Sequence, residues 1–501
     1  MTFNKIKRLL WYIFSVNKKH PRSLAMDFTD TTVTDGFQRT VTISQQRFTA
    51  TNFTGLLPIQ FQCARMGLLS PMLEVLKTYC HSGDRDHFTA ASMFMQRLLG
   101  HICGFEDLVD HDLLGQDQGF LAALGAEQCA SSSTICRFEN SVSREAIDAM
   151  NKALFEALLI ANKHLRLFPR AGKNTHPTLM LDVDSTHVDL YGNQERKSYN
   201  AHYQTSCLAP VLCFLNGWPI AVYNAAGTED GRKVLEHQLE RLIRIIKRAF
   251  PHHCILLRGD SGFNSRKIIK TCEKQNICYV IGFSPNKKAQ TLVAKQGLVN
   301  ARRKEKQRYT TKGTAFRTLG ELIGYKAASW EYDRRLIARK QHDPKTNQID
   351  LRLIQTNINK GAKFGAKGYC GQCSSFNPER LYEYLYCGRA RDCELQIGMF
   401  KTACFGARAS STRFLTNSYR MILAAFCLLI LKIMTFLQRK SVANAHAKMR
   451  PVHEMSIGKL RVRVICVTSK IKATKGEIQL TLPSVMHEEV TLRALMRIPI
   501  P

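Results

Sequence analysis

Four acids in this 501-residue chain stand in contexts that suit divalent-metal chemistry. Asp182 and Asp184 lie two apart in TLMLDVDST, where alternation predicts a strand. Their side chains then share one face, and Leu181 and Val183 take the other. Asp260 closes a second apolar run, CILLRGDSGF, with Gly259 and Gly262 beside it to admit a close substrate backbone. Glu394 sits in LYCGRARDCELQIGMFK (385–401), whose apolar residues recur at helical spacing. Groups at strand ends of a mixed α/β sheet project into the crevice where ligands bind. Asp184 and Asp260 on neighbouring strands, with Glu394 from a helix, would make one site there. Carboxylates gathered so closely repel one another unless a cation sits among them. Hard oxygen ligands suit Mg2+ or Mn2+, which bind phosphate oxygens and support in-line displacement at phosphorus. The plainer readings are strand ends dipping into water and, for Glu394, a surface helix laced with i,i+4 ion pairs.

The charge favours a phosphate-bearing partner. Lysine and arginine number 72 against 40 acids, and they are spread along the whole chain. Such an imbalance adds nothing to fold stability and points to a polyanion, nucleic acid first and an anionic membrane surface second. The run MILAAFCLLILKIMTFL (421–437) is interrupted by Lys432 and reads as a buried helix, too short when uncharged to span a bilayer. RLLWYIFSV (8–16) only faintly resembles a signal peptide. The 17 cysteines show no disulfide-scaffold spacing, which fits a reducing compartment. Cys370 and Cys373 form one CxxC, but Cys387 and Cys393 follow at irregular spacing, so packing is preferred to a zinc site.

The elements that must position the acids follow from periodicity. Residues 1–54 read as a basic arm, and 55–170 as a helical region for DNA binding or dimerisation, with ASSSTICRFEN as a Ser/Thr-rich helix start. Residues 171–286 give the order β-β-β-α-β-α-β. Asn216-Gly217 supplies a type I′ hairpin turn, and DGRKVLEHQLERLIRIIKRA (230–249) a helix. Residues 287–375 read as a β-rich insertion containing ASWEYDRRLIARK and IDLRLIQTNI. Helices resume over 376–440, and 441–501 is a basic tail in which KLRVRVICVTSKIKATKGEIQLTL predicts a hairpin. His202 and Tyr203 are read as sheet residues near the site, and Trp218 as hairpin packing.

LDVDST, RGDSGF and YCGRARDCELQIGMFK resemble the three catalytic motifs of DDE insertion-sequence transposases. The group most resembled is the insertion sequence 1380 family, relatives of the insertion sequence 4 group. ASSSTICRFEN, RLIQTNI, RASSTRFLTNSYRMILAAFCLLI and SIGKLRVRV resemble further family segments, so the likeness spans about 55–490. It implies an α/β fold: a ribonuclease H-like core interrupted by the β-rich insertion, behind a helical N-terminal domain. It implies Asp184, Asp260 and Glu394 as catalytic metal ligands for Mg2+ or Mn2+. Asp184 is preferred to Asp182 because the family's aspartate is followed by x-Thr, here Ser185-Thr186. A Tyr-Arg-Glu-Lys set is matched by Tyr386, Arg389, Glu394 and Lys401, which would hold DNA. The partners implied are double-stranded DNA, as transposon ends and target, and a second copy in a homodimer. The setting implied is the cytoplasmic nucleoid, with no membrane.

The chain departs from the family at one point. Four residues, Ala390 to Cys393, separate Arg389 from Glu394 where the family has three, and Leu395 stands where asparagine is common. On an α-helix one extra residue rotates Arg389 by about 100° relative to Glu394. Either Arg391 replaces it, or the helix starts after Arg389, or the centre is impaired. Beside cut-and-paste transposition, two readings therefore stand: a DNA-binding protein with a decayed centre, and a nuclease on the same core.

Overall fold

The computed structural model describes residues 31–34, 40–43, 49–80, 88–172, 176–306, 315–328, 330–331, 333–342, 349–358, 377–445, 455–474 and 477–483. The chain divides into two compact units, 1–49 and 50–501. In the first, β1 (Thr31–Thr34) and β2 (Thr40–Ile43) form an antiparallel hairpin. The second opens with β3 (Ala50–Thr51) and a helical region that ends in the long helix Arg144–Leu165. Its helices start where the chain offers an oxygen: Thr89, Ser131 and Ser143 each accept the backbone N–H three residues on.

Six elements of the acid-bearing region follow in order: β4 (Thr178–Ser185), β5 (Val188–Asp189), β6 (Ser198–Asn200), β7 (Thr205–Leu208), β8 (Val211–Leu215) and β9 (Trp218–Tyr223). The helix Gly231–Ala249 leads to β10 (Cys254–Gly259), and the helix Arg266–Lys274 to β11 (Cys278–Phe283). Then come β12 (Val299–Lys306), β13 (Ala315–Leu322), β14 (Arg335–His342) and β15 (Ile349–Thr356). Nine of these strands make one mixed sheet in the order β12-β13-β14-β15-β11-β10-β4-β8-β9. β4, β10 and β11 run parallel, joined through helices as parallel strands must be. β8 and β9 close antiparallel on β4 through a turn in which Asn216 (φ 49°) and Gly217 (φ 80°) are both left-handed. β5, β6 and β7 form a separate small sheet directly after Asp184, so TSCL is not part of the meander.

The β-rich insertion is not a separate layer. β15 pairs antiparallel with β11, and β14, β13 and β12 extend the same sheet outward. At the opposite end the edge strand β9 is covered by the Arg144–Leu165 helix. Asn151 pairs with both backbone groups of Val222, donating to its carbonyl at 3.0 Å and accepting its N–H at 2.8 Å. That contact satisfies a strand edge that would otherwise template pairing with another chain.

The run 421–437 lies in the helix Phe414–Ala445. One helix, Phe414–Arg439, is long and apolar enough to cross a membrane among the described residues, and 89% of its apolar window is buried inside the protein. It packs on β9 and on the helices Ala90–Cys103 and Arg144–Leu165, with Phe426 edge-on to Phe94 at 6.0 Å. Lys432, the residue that interrupts the run, donates to Gln396 and lies 5.1 Å from the Trp218 ring. Trp218 thus packs at its hairpin. The family-like segment 130–140 is anchored to the same helix. Glu139 is fully buried between Arg97, at 2.8 Å, and Arg420, at 2.6 Å, and Thr416 donates to Asn140.

One prediction fails in part. The hairpin of the tail is present as β16 (Ser469–Ala473) and β17 (Ile478–Thr481), and β16 also pairs with β3. KLRVRVI, however, is helical: Ile457–Leu460 is α-helix and Arg461–Ile465 a π-turn. Ile457, Leu460, Val464 and Ile465 are buried together, and Arg461 donates to the carbonyls of His101 and Ile102. Tertiary packing of that face overrides the alternation of KLRVRV.

Candidate active site

Asp184 and Asp260 meet at the C-terminal ends of two adjacent parallel strands. The register Arg258↔Asp182 brings β4 and β10 alongside, so both acids leave the sheet at the same end. Asp184 Oδ1 accepts the N–H of Ser185 at 2.9 Å. Asp260 follows β10 directly, and its Oδ1 accepts the N–H of Gly262 at 3.0 Å, shaping the turn Ser261–Phe263. Gly282 on β11 makes this approach possible: a Cβ there would lie 2.5 Å from Ser261 N and 2.8 Å from the Tyr386 hydroxyl.

The segment with Glu394 crosses the same face through two π-turns, Arg380–Tyr386 and Ala390–Glu394. In the first the Cys387 N–H reaches the Tyr382 carbonyl, and in the second the Leu395 N–H reaches that of Ala390. A π-turn closes after five residues where an α-turn closes after four, so it absorbs one extra residue without changing the face that follows. Arg389 and Glu394 are five apart and span the second π-turn.

Arg389 accordingly faces inward. Its side chain is 5% exposed, and Nη2 donates to Asp184 Oδ2 at 2.9 Å. It stands 5.8 Å from the Tyr386 ring, and its Nε is buried without an acceptor. Arg391 does not replace it: its side chain is 81% exposed and pairs with Asp392 at 2.9 Å. Among the described residues Glu394 makes no ion pair, so the i,i+4 surface network does not explain it.

The electrostatics tie the three acids together. Burial first pushes the Asp184 carboxyl up to about 6; the Arg389 charge opposes this, and the charges of Asp260 and Glu394 add to it. Burial also raises the Tyr386 hydroxyl, against the Arg389 charge and with that of Asp260. Lys401, two helical turns beyond Glu394, is half-buried next to His187, Asp189 and Cys207; burial lowers its ammonium and Asp189 counters it. Asp182 is different in kind. It is fully buried and gripped by both forks of Arg258 at 2.7 Å, which leaves it no free face for a ligand.

Residue chemistry at this place fits a divalent cation. The set is all carboxylate oxygen, and the Asp260 and Glu394 charges that add to the effect of burial on Asp184 are what a cation offsets. Among the described residues no three His, Cys, Asp or Glu side chains stand grouped as they would to hold a metal ion, and Arg389 holds one oxygen of Asp184. Cys370 and Cys373 lie outside the described residues; Cys393 is buried and Cys387 exposed, each a free thiol.

Sequence reasoning placed His202 and Tyr203 near the site but in the sheet, and it missed His187 and Arg258. Tyr203 lies in the turn between β6 and β7, not in a strand, and feels Ser185, Asp184 and Asp260. His187, three residues after Asp184, stacks on Tyr203 at 4.4 Å. Its proximity to Asp184 in sequence is the one signal that pointed to it. Arg258, inside the RGDSGF motif, was passed over as a neighbour of Asp260.

Residues 33–499 match the family described as Transposase DDE domain group 1. No curated protein matches the chain. A piggyBac transposase synaptic complex with hairpin DNA is similar at 13% identity, covering 82% of this chain and 78% of that one, with a TM-score of 0.39. A Mos1 transposase paired-end complex with the left transposon end is similar at 15% identity over 40% of this chain and 60% of that one, with a TM-score of 0.15.

Proposed function

The chain belongs to the Transposase DDE domain group 1 family, and from that premise we propose that it is the transposase of an insertion sequence of the 1380 group. It binds the terminal inverted repeats, cleaves the ends and joins the freed 3′ hydroxyls to target DNA. The sheet β9-β8-β4-β10-β11 with its two crossover helices is the ribonuclease H-like core, β12 to β15 the insertion, and residues 55–170 the helical DNA-binding and dimerisation region. The synaptic species is a homodimer on duplex DNA at the nucleoid.

The observation that carries this reading is the approach of Arg389 to Asp184 at 2.9 Å, on the face where Asp260 and Glu394 act on the same carboxyl. Asp184, Asp260 and Glu394 would hold Mg2+ or Mn2+, which supplies charge stabilisation at phosphorus and a more acidic attacking water or hydroxyl. Arg389 offers a buried, unpaired Nε and a fork that suits two phosphate oxygens. The Tyr386 hydroxyl lies over Gly282 beside Asp260, where it would donate to the DNA strand near the scissile bond. Lys401 places a cation on a neighbouring phosphate, which fixes register and not base sequence.

The decayed-centre reading rested on a rotated Arg389. With Arg389 turned toward Asp184 that support is gone. Mg2+-dependent cleavage of a duplex bearing the element's ends tests the proposal. Wild-type protein that binds the ends but leaves them uncut would return the decayed reading, and cutting of DNA without repeats and without strand joining would favour the nuclease.

A further inference from the structure

Arg258 is 2% exposed and sits between the sheet and the Glu394 segment. Nε and Nη2 donate to the two oxygens of Asp182, each at 2.7 Å. Nη2 also donates to Asp392 Oδ2 at 2.9 Å, and Nη1 to the Leu385 carbonyl at 2.8 Å. The chain makes room for this at Gly388, where a Cβ would lie 3.0 Å from Arg258 Nη1.

The partners are related to the acids by a constant offset. Asp182 precedes Asp184 by two residues, Arg258 precedes Asp260 by two, and Asp392 precedes Glu394 by two. On the strands an offset of two returns to the same face. Asp392 and Glu394 lie inside one π-turn. Each of the three backbones that present a site carboxylate is therefore pinned, two residues upstream, to one guanidinium.

We propose that Asp182, Arg258 and Asp392 are a positioning set that fixes the separations of Asp184, Asp260 and Glu394. This rests on the triad proposed above. A buried guanidinium suits the task because its planar fork has fixed angles and its charge cannot be lost. Asp392 is the partner that reaches solvent, with 19% of its side chain exposed, so it can be altered while the buried Asp182–Arg258 pair stays intact.

The test compares Asp392→Asn, Asp392→Glu and Arg258→Lys with the wild type, all full-length and bound to a duplex carrying the element's ends. Mn2+ binding is followed by calorimetry, amide exchange by mass spectrometry, and cleavage by kinetics. Asp392→Asn is expected to weaken Mn2+ about 10- to 100-fold and to speed exchange over 388–395 about tenfold. Exchange over 231–249, the affinity for DNA and its KM should stay unchanged while kcat falls. Asp392→Glu is expected to recover part of both, and Arg258→Lys to lose more than Asp392→Asn. Wild-type Mn2+ affinity and exchange in Asp392→Asn would overturn the proposal. So would exchange that rises equally over 231–249, since the set would then serve only general stability. A wild-type chain that takes up no Mn2+ would instead overturn the triad itself.

Discussion

Arg389 Nη2 lies 2.9 Å from Asp184 Oδ2, although Arg389 precedes Glu394 by five residues, one more than an α-helical turn returns to the same face. The two residues are 205 positions apart in sequence, and a π-turn at Ala390–Glu394 reconciles them. Widening one turn to a five-residue closure accommodates the extra residue and keeps the working face.

Removing that residue should therefore be tolerated. Ala390 is exposed. Its deletion turns an i→i+5 closure into i→i+4 and keeps Arg389 and Glu394 on one face. End cleavage is expected to stay within a few-fold of wild type. Deletion of Gly398 from the α-helix Leu395–Thr402 rotates Lys401 by about 100° relative to Glu394 and should abolish strand joining. Equal losses from the two deletions would contradict the π-turn account.

The two arginines should separate cleanly. Arg389→Ala is expected to cut the cleavage rate about 10²- to 10³-fold, the scale of one lost donor to a developing anion. Arg391→Ala removes an exposed ion pair and should change cleavage less than twofold. Parallel rate measurements on one end-containing duplex decide it.

For the carboxylates, Asp184→Asn, Asp260→Asn and Glu394→Gln should each lower Mg2+-dependent cleavage by about 10³-fold or more, with end binding retained in gel-shift assays. Asp182→Asn should behave differently. It leaves Arg258 short of a charged partner in the interior, which costs about 3–5 kcal/mol, so its first symptom is a lower melting temperature.

Gly282→Ala tests the close approach beneath the site. The added methyl would meet Ser261 N and the Tyr386 hydroxyl at 2.5 and 2.8 Å. An overpacked position of this kind costs about 1–3 kcal/mol. Here the strain falls on the Asp260 turn, so cleavage should drop well beyond what the melting shift accounts for. A melting shift with normal cleavage would argue against that placement.

Stability should fall in mild acid through two buried histidines. His111, 3.0 Å from Arg97, is pushed down to about 3 by burial and then by the Arg97 charge. His101 is pushed down by burial and then by Arg97, His111, Arg461 and Arg420. Unfolded histidine takes a proton near 6.5 and these two do not, so the unfolded state binds more protons below that pH. Their contribution is complete above about pH 6.5 and is lost as pH falls, by about 1.4 kcal/mol per pH unit for each. Urea titrations from pH 7.5 to 5 check the slope, and His111→Gln should flatten it.

Periodicity and residue type were enough for much of this protein. Alternation located β4, short apolar runs located β10 and β11, the amphipathic run located the Gly231–Ala249 helix, and Asn216-Gly217 located the hairpin. The acids of LDVDST and RGDSGF could be placed at strand ends because local patterning reports strand ends. Tertiary structure decided the rest, because it depends on contacts between distant segments. Alternation puts Asp182 and Asp184 on one face and is silent on which of them is covered. The register of β4 against β10 sets Arg258 beside Asp182 and leaves Asp184 toward Arg389. The insertion reads locally as a set of strands, and only the pairing of β15 with β11 makes it part of the main sheet. KLRVRVI alternates like a strand, yet burying one face against the Ala90–Cys103 helix region makes it helical. The stretch that carries Glu394 shows both sides. Its sequence contained the acid, the two arginines and the extra residue. Which arginine faces Asp184 was settled by the backbone hydrogen bonds of one π-turn and by the guanidinium of Arg258 holding its far side.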